Sequence, residues 1–221
     1  MKLLLTSAGF LTPALIATCT ELVGKPQDII NFAVINEGYA VEPGDHGWVL
    51  DDLNHIKDAF KGRMELVNLL PLDLATVKAR IALADVIFVV GGYTDYLMSV
   101  FYKTGFDELL PELLKTKVYV GSSAGSMVLG KRVSTEAYAK IYGEENDYGI
   151  TEHLGLVDFA IKPHLDSKLF PQNRKDVLLD VTKDYSGTVY GLADDAAIVV
   201  EDSKTYLIGS EPVKIVNGVL V

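Results

Sequence analysis

Cysteine, histidine and positive charge are all scarce in this chain, and each scarcity removes a class of function. A single cysteine, Cys19, rules out an intrachain disulfide and a four-cysteine metal site. Lys and Arg number 20 against 30 Asp and Glu, for a formal net charge of −10. That balance opposes general affinity for nucleic acid or an anionic membrane surface, since both reward a basic face. No run approaches the roughly 18 consecutive apolar residues of a membrane span. The start, Met1-Lys2-Leu3-Leu4-Leu5-Thr6-Ser7-Ala8-Gly9, has the charge and apolar run of a signal peptide. Its leucine run is too short for one, and a buried first strand followed by a glycine turn fits better. The cytoplasm is the expected compartment. No linker, repeat or low-complexity tract divides the chain, so one domain over residues 1–221 is expected.

What is present is an alternation of short β-rich runs with amphipathic segments. Lys2 to Thr6, Ile29 to Ile35, Met64 to Asn68, Val86 to Val90 and Lys117 to Val120 are predicted strands, apolar enough to be buried on both faces. Helices are predicted near Pro13 to Val23, Trp48 to Phe60, Leu74 to Ala84, and Tyr96 to Leu114 with a break at Gly105. The order implies an α/β fold, a doubly wound and mostly parallel sheet with right-handed crossovers. Farther on, Gly155 to His164, Thr188 to Leu192 and Ala196 to Glu201 look strand-like and Gln172 to Asp184 helical. Asn217-Gly218 marks a tight hairpin, which makes the C-terminus an antiparallel edge.

Chemistry enters at Gly121-Ser122-Ser123-Ala124-Gly125, between the run Lys117 to Val120 and the helix-compatible Ser126 to Leu129. A bare Gly-x-Ser-x-Gly arises by chance in roughly one chain in ten of this length, so the flanks decide. A strand before and a helix start after are the context of a nucleophile elbow, where small neighbours let a serine sit on a sharp turn. A serine hydroxyl needs a base, usually histidine, oriented by a carboxylate. Of the four histidines, His46 and His55 are expected to face solvent, and His153 is a weaker candidate in a loop. His164 follows Phe159 to Pro163 and so ends a strand, where the serine also sits. Asp194 and Asp195 end another, and an extended segment points them to opposite sides, so one of them can face His164. Asp166 and Glu136 are alternatives. The N–H groups of Ala124 and of Gly92, which follows the strand ending at Val90, are candidate oxyanion donors. From Lys162 to Lys175 the residues Lys162, Lys168, Arg174 and Lys175 outnumber Asp166, an island of positive charge that suits an acidic small substrate.

These residues together resemble the S51 serine peptidases, the family of dipeptidase E and cyanophycinase. The likeness covers most of the chain. It rests on four anchors in order: Val89-Val90-Gly91-Gly92 with Tyr93-Thr94-Asp95-Tyr96-Leu97, then Gly121 to Gly125, then Lys162-Pro163-His164, then Tyr190-Gly191-Leu192-Ala193-Asp194-Asp195. The resemblance implies a flavodoxin-like fold akin to class I glutamine amidotransferase domains, with Ser123 in place of their cysteine. It implies no metal or organic cofactor. It matches Ser123 to the nucleophile, His164 to the base, Gly92 and Ala124 to the oxyanion donors, and Asp194 to the acid, where those relatives carry Glu. It also matches Arg174 to an arginine that recognises an N-terminal aspartate.

The function expected is that of a serine exopeptidase cleaving short peptides, including Asp-X dipeptides, through an acyl-enzyme. An isoaspartyl or cyanophycin-like β-linked peptide is the alternative substrate, and a catalytically silent binding protein on the same fold is the alternative class. The expected partner is a short peptide, with no nucleic acid and no membrane. Subunit number is not readable, and a homodimer is compatible with the sequence.

Overall fold

The computed structural model describes residues 1–202 and 204–221. Its main sheet grows from strands in which successive side chains enter two different cores. Leu3 and Leu5 of β1 (Lys2–Thr6) face one side and Leu4 the other. The same alternation splits Ala33 and Ile35 from Phe32 and Val34 in β2 (Phe32–Ile35). A strand covered on both faces therefore shows no polar face in its sequence. One side is covered by α1 (Pro13–Val23) and α2 (Gly47–Ala59), through Leu15, Leu22, Val49 and Ile56. The helix α1 starts where the Thr12 hydroxyl accepts the N–H of Leu15 and stops at Gly24, in the left-handed region. Cys19 is buried on this side, and burial pushes its thiol pKa up, so it stays an unreactive apolar group.

After the short β3 (Met64–Leu66) the other side is covered by α3 (Leu74–Ile81), α4 (Thr94–Thr104) and α5 (Phe106–Leu113), with β4 (Val86–Val89) between α3 and α4 in the chain and β5 (Val118–Ser122) after α5. The break at Gly105 is present, at φ 73°. Strands β3, β2, β4, β5 and β1 lie side by side and parallel. The chain then runs through α6 (Ala124–Met127), α7 (Thr135–Tyr142), β6 (Ala160–Lys162), α8 (Lys175–Val181) and β7 (Thr188–Gly191). It ends with β8 (Ala197–Glu201), β9 (Lys204–Ile208), β10 (Val213–Val216) and β11 (Val219–Leu220). Strand β8 pairs antiparallel with β1, and β9 with β8, which completes the seven-stranded order β3-β2-β4-β5-β1-β8-β9. The α/β, mostly parallel architecture with antiparallel edge strands is the one the sequence predicts.

Several details differ. Residues 27–29 form a 3-10 turn, so β2 begins at Phe32. The strand expected over Gly155 to His164 shrinks to Ala160–Lys162, because Leu154, Gly155 and Val157 instead donate their N–H groups to the carbonyls of Val128, Gly130 and Leu129. The helix expected over Gln172 to Asp184 is confined to Lys175–Val181. The Asn217-Gly218 hairpin forms with both residues at positive φ, yet it edges a separate four-stranded sheet, β11-β10-β7-β6.

Candidate active site

Strand β5 delivers Ser123 to the carboxyl edge of the sheet at φ 51° and ψ −115°, a conformation few residues other than glycine adopt. The turn is held from below. Ser123 N–H donates to Ser7 O at 3.0 Å, Ser126 Oγ donates to Thr6 O at 2.7 Å, and the buried Tyr119 hydroxyl donates to Gly125 O at 2.6 Å. Gly125 is obligatory, since a methyl group there would run into the Val89 carbonyl. Beside Ser123 the chain leaving β4 passes through Gly91 and Gly92, the latter at φ 115° and packed against the Gly38 backbone. Ala124 is buried and opens α6, so its N–H has no acceptor inside that helix.

His164 and Asp194 arrive from the second sheet. Leu192 N–H donates to Lys162 O at 2.9 Å and Leu165 N–H to Leu192 O at 2.8 Å, which ties the ends of β6 and β7 together. Pro163 precedes His164, whose own φ is 66° and whose N–H donates to Ser7 Oγ at 2.7 Å. His164 Nε2 lies 2.9 Å from Ser123 Oγ, and its Nδ1 lies 2.7 Å from Asp194 Oδ1. A carboxylate only accepts, so Nδ1 carries the proton and Nε2 turns its lone pair to the serine hydroxyl. The hydrogen bond from His164 holds the Asp194 carboxyl below the usual carboxylate range. Phe170 stacks on the imidazole at 4.7 Å. Asp195 points elsewhere and accepts from Ser210 Oγ at 2.8 Å.

Other sequence-predicted residues are not brought here. Glu136 is exposed on α7. Asp166 and Arg174 are both exposed and pair with each other at 3.2 Å, and Arg174 does not line the cleft. His153 is buried, 2.9 Å from Asp95 Oδ1 and stacked on Tyr138. The expected basic island is dispersed. Lys162 is wholly buried with Nζ 3.6 Å above the Tyr138 ring, while Lys168 and Lys175 are exposed away from the cleft.

Ser123, His164 and Asp194 open on a cleft of about 470 Å³, and its electrostatics run against the sequence reading. The lining carboxylates are Glu42, Asp45, Asp51, Asp52, Glu144 and Asp194, with no lysine or arginine among the lining residues. His55, expected in solvent, is half-buried and lines the cleft, and His46 is half-buried as well. The signal for this wall was available: His55 falls three residues after Asp52 and four after Asp51, helical spacings that place it beside each of them. Glu144 had none. It is buried under the start of α4, accepting from Thr94 N–H at 2.7 Å and Thr94 Oγ1 at 3.0 Å. Among the described residues no cluster of His, Cys, Asp and Glu could hold a metal ion, and no helix is long and apolar enough to cross a membrane.

The family model for peptidase family S51 matches residues 38–208. The chain belongs to peptidase family S51. An uncharacterized peptidase of Listeria innocua is 28% identical over 155 residues, 66% of this chain and 73% of the relative. Peptidase E of Streptomyces coelicolor is 30% identical over 148 residues, 62% of this chain and 57% of the relative. Among solved structures, a candidate peptidase E protein from Listeria monocytogenes EGD-e superposes with a TM-score of 0.77 at 21% identity, covering 95% of this chain and 98% of that one. A peptidase from an acI-B1 Actinobacterium gives a TM-score of 0.70 at 17% identity, covering 100% and 96%. This S51 chain is accordingly a peptidase with the flavodoxin-like fold of those neighbours.

One consequence for stability follows from the buried charges behind the cleft of this S51 peptidase. Burial pulls the Lys162 pKa down to about 7 and pushes that of Glu144 up to about 7, each partly offset by the other's charge. Between about 7 and its ordinary 10.5, Lys162 is neutral in the folded chain but protonated when unfolded. The unfolded state then binds the extra proton, so this contribution to stability rises with pH from about 7 upward. Urea midpoints at pH 7 and pH 8.5 are expected to show wild type gaining between about 1 and 2 kcal/mol over Lys162→Met. Parallel midpoints in the two proteins would contradict the lowered pKa of the buried Lys162 amine.

Proposed function

We propose that this chain is a serine exopeptidase of short peptides, with Ser123 as nucleophile, His164 as general base and acid, and Asp194 as the carboxylate that orients it. The single observation carrying this is the chain of contacts Ser123 Oγ to His164 Nε2 at 2.9 Å and His164 Nδ1 to Asp194 at 2.7 Å, at the wall of the cleft. In the reaction His164 takes the hydroxyl proton as Oγ attacks the peptide carbonyl. The N–H groups of Gly92 and Ala124 receive the developing oxyanion. His164 then returns the proton to the leaving amine, and water, deprotonated by the same imidazole, hydrolyses the acyl-serine ester.

Short peptides are proposed because about 470 Å³ suits a small ligand rather than a folded chain. The Asp-X restriction falls outside this proposal, since an N-terminal aspartate has no lysine or arginine to meet in the cleft and Arg174 is already paired with Asp166. A small fluorophosphonate tests the nucleophile directly. The expected result is one stoichiometric adduct on the tryptic peptide containing Ser123. Folded protein that stays unlabelled would favour the silent binding protein instead.

A further inference from the structure

The cleft's carboxylates are not equally engaged. Asp194 is bonded to His164, and Glu144 is held by Thr94 at the start of α4. The remaining four, Glu42, Asp45, Asp51 and Asp52, all come from α2 and the loop before it, so they form one wall. Asp52 is the most deeply set of them. It is only 8% exposed, yet no cationic side chain pairs with it among the described residues. Its place is built: a methyl group on Gly9 would meet Asp52 Oδ1 at 2.5 Å, and its other neighbour is Ser122, next to the nucleophile. His55 on the same wall has a buried Nδ1 with no hydrogen-bond partner. Burying a carboxylate is costly, and here burial lifts its pKa to about 6, with Ser122 and the neighbouring His55 and His164 offsetting only part of that cost. Trp48 lines the same wall, and an indole ring attracts cations to its face.

We propose that the α2 wall is a subsite for a cationic group of the substrate, an ammonium or guanidinium seated between Asp52, Asp51 and Trp48. The substrate class is then a short peptide bearing positive charge beside the scissile bond, from its free α-amine or from a lysine or arginine side chain. This rests on Ser123 being the nucleophile, because the distance that makes the subsite meaningful is that from Asp52 to the serine turn. An acidic residue at the same place would face four carboxylates at close range and be disfavoured.

The test compares dipeptides X-Leu with X as Arg, Lys, norleucine or Asp, each free and N-acetylated, on wild type, Asp52→Asn and Asp51→Asn. Wild type is expected to turn over the best cationic substrate about 10- to 100-fold better in kcat/KM than its uncharged counterpart, and Asp-Leu least well. A preference for Arg and Lys over norleucine assigns the cation to the side chain. Equal rates for those three, lost on acetylation, assign it to the α-amine. In Asp52→Asn the cationic preference should collapse toward one through KM, and in Asp51→Asn it should shrink. Should Asp52→Asn fail to fold, the wild-type panel and Asp51→Asn decide the matter. Asp-Leu cleaved as well as Arg-Leu, together with no effect of acetylation, overturns the subsite. Fluorophosphonate labelling of Ser123 in the same samples separates that failure from failure of the serine mechanism, which would show as no adduct.

Discussion

Ser123→Ala is expected to lower peptide turnover by about 10⁶-fold, the loss seen when the serine of a working triad is removed. The loss follows from removing one atom. On the proposed mechanism, without Oγ His164 has no proton to take and no acyl intermediate forms, while the oxyanion donors assigned to Gly92 and Ala124 are left in place. Stability should hardly change. The N–H of residue 123 keeps its bond to Ser7 O, and Tyr119 and Ser126 still brace the turn from their own side chains. Alanine occupies positive φ no more easily than serine, so the strain stays about the same. Peptide hydrolysis beside thermal unfolding measures both halves. Turnover within tenfold of wild type in a normally folded variant would mean that some other group performs the chemistry.

How far the sequence could lead is clearest where residues act locally. Ser123 was legible because an elbow is a property of five adjacent residues, and the structure shows why two of them are glycine: a methyl group would collide with Gly125 at Gly121 and with Val89 at Gly125. His164 was legible through Pro163 and its place at a strand end. The strands β1, β2, β4 and β5 were legible as apolar runs, but their ends were not, because burial on both faces leaves no alternation to count. The two neighbouring aspartates could not be told apart, since the choice is made by Ser210, which lies beyond β9 and captures Asp195. Charge misled most. Lys162 and Arg174 look alike in sequence, but one is buried over Tyr138 and the other is exposed beside Asp166. Asp51, Asp52 and His55 look like the wet face of a helix, and that face is turned to the cleft only because α2 starts at the carboxyl edge of the sheet.

Asp194→Asn offers the sharpest test of how the imidazole is used. An amide presents either a carbonyl oxygen or an NH₂ group to His164 Nδ1 and carries no charge. With NH₂ toward Nδ1, the ring proton moves to Nε2, and the nitrogen facing Ser123 can no longer accept. With the oxygen toward Nδ1 the tautomer is right, but the imidazolium formed on attack has lost its counter-charge. Either way kcat is expected to fall by roughly 10³- to 10⁴-fold, as in triads whose acid is neutralised this way. KM should move little, since Asp194 is engaged with His164 rather than free in the cleft. Asp194→Glu keeps the charge and should recover part of that loss. Asp195→Asn removes an equal charge one residue away, yet its carboxylate bonds Ser210, so kcat should stay within about threefold. The hydrogen bond from His164 holds the Asp194 carboxyl below the usual carboxylate range, so Asp194 carries its charge at neutral pH. Steady-state kinetics on the three variants across pH separates these cases, and equal losses in Asp194→Asn and Asp195→Asn would remove Asp194 from the triad.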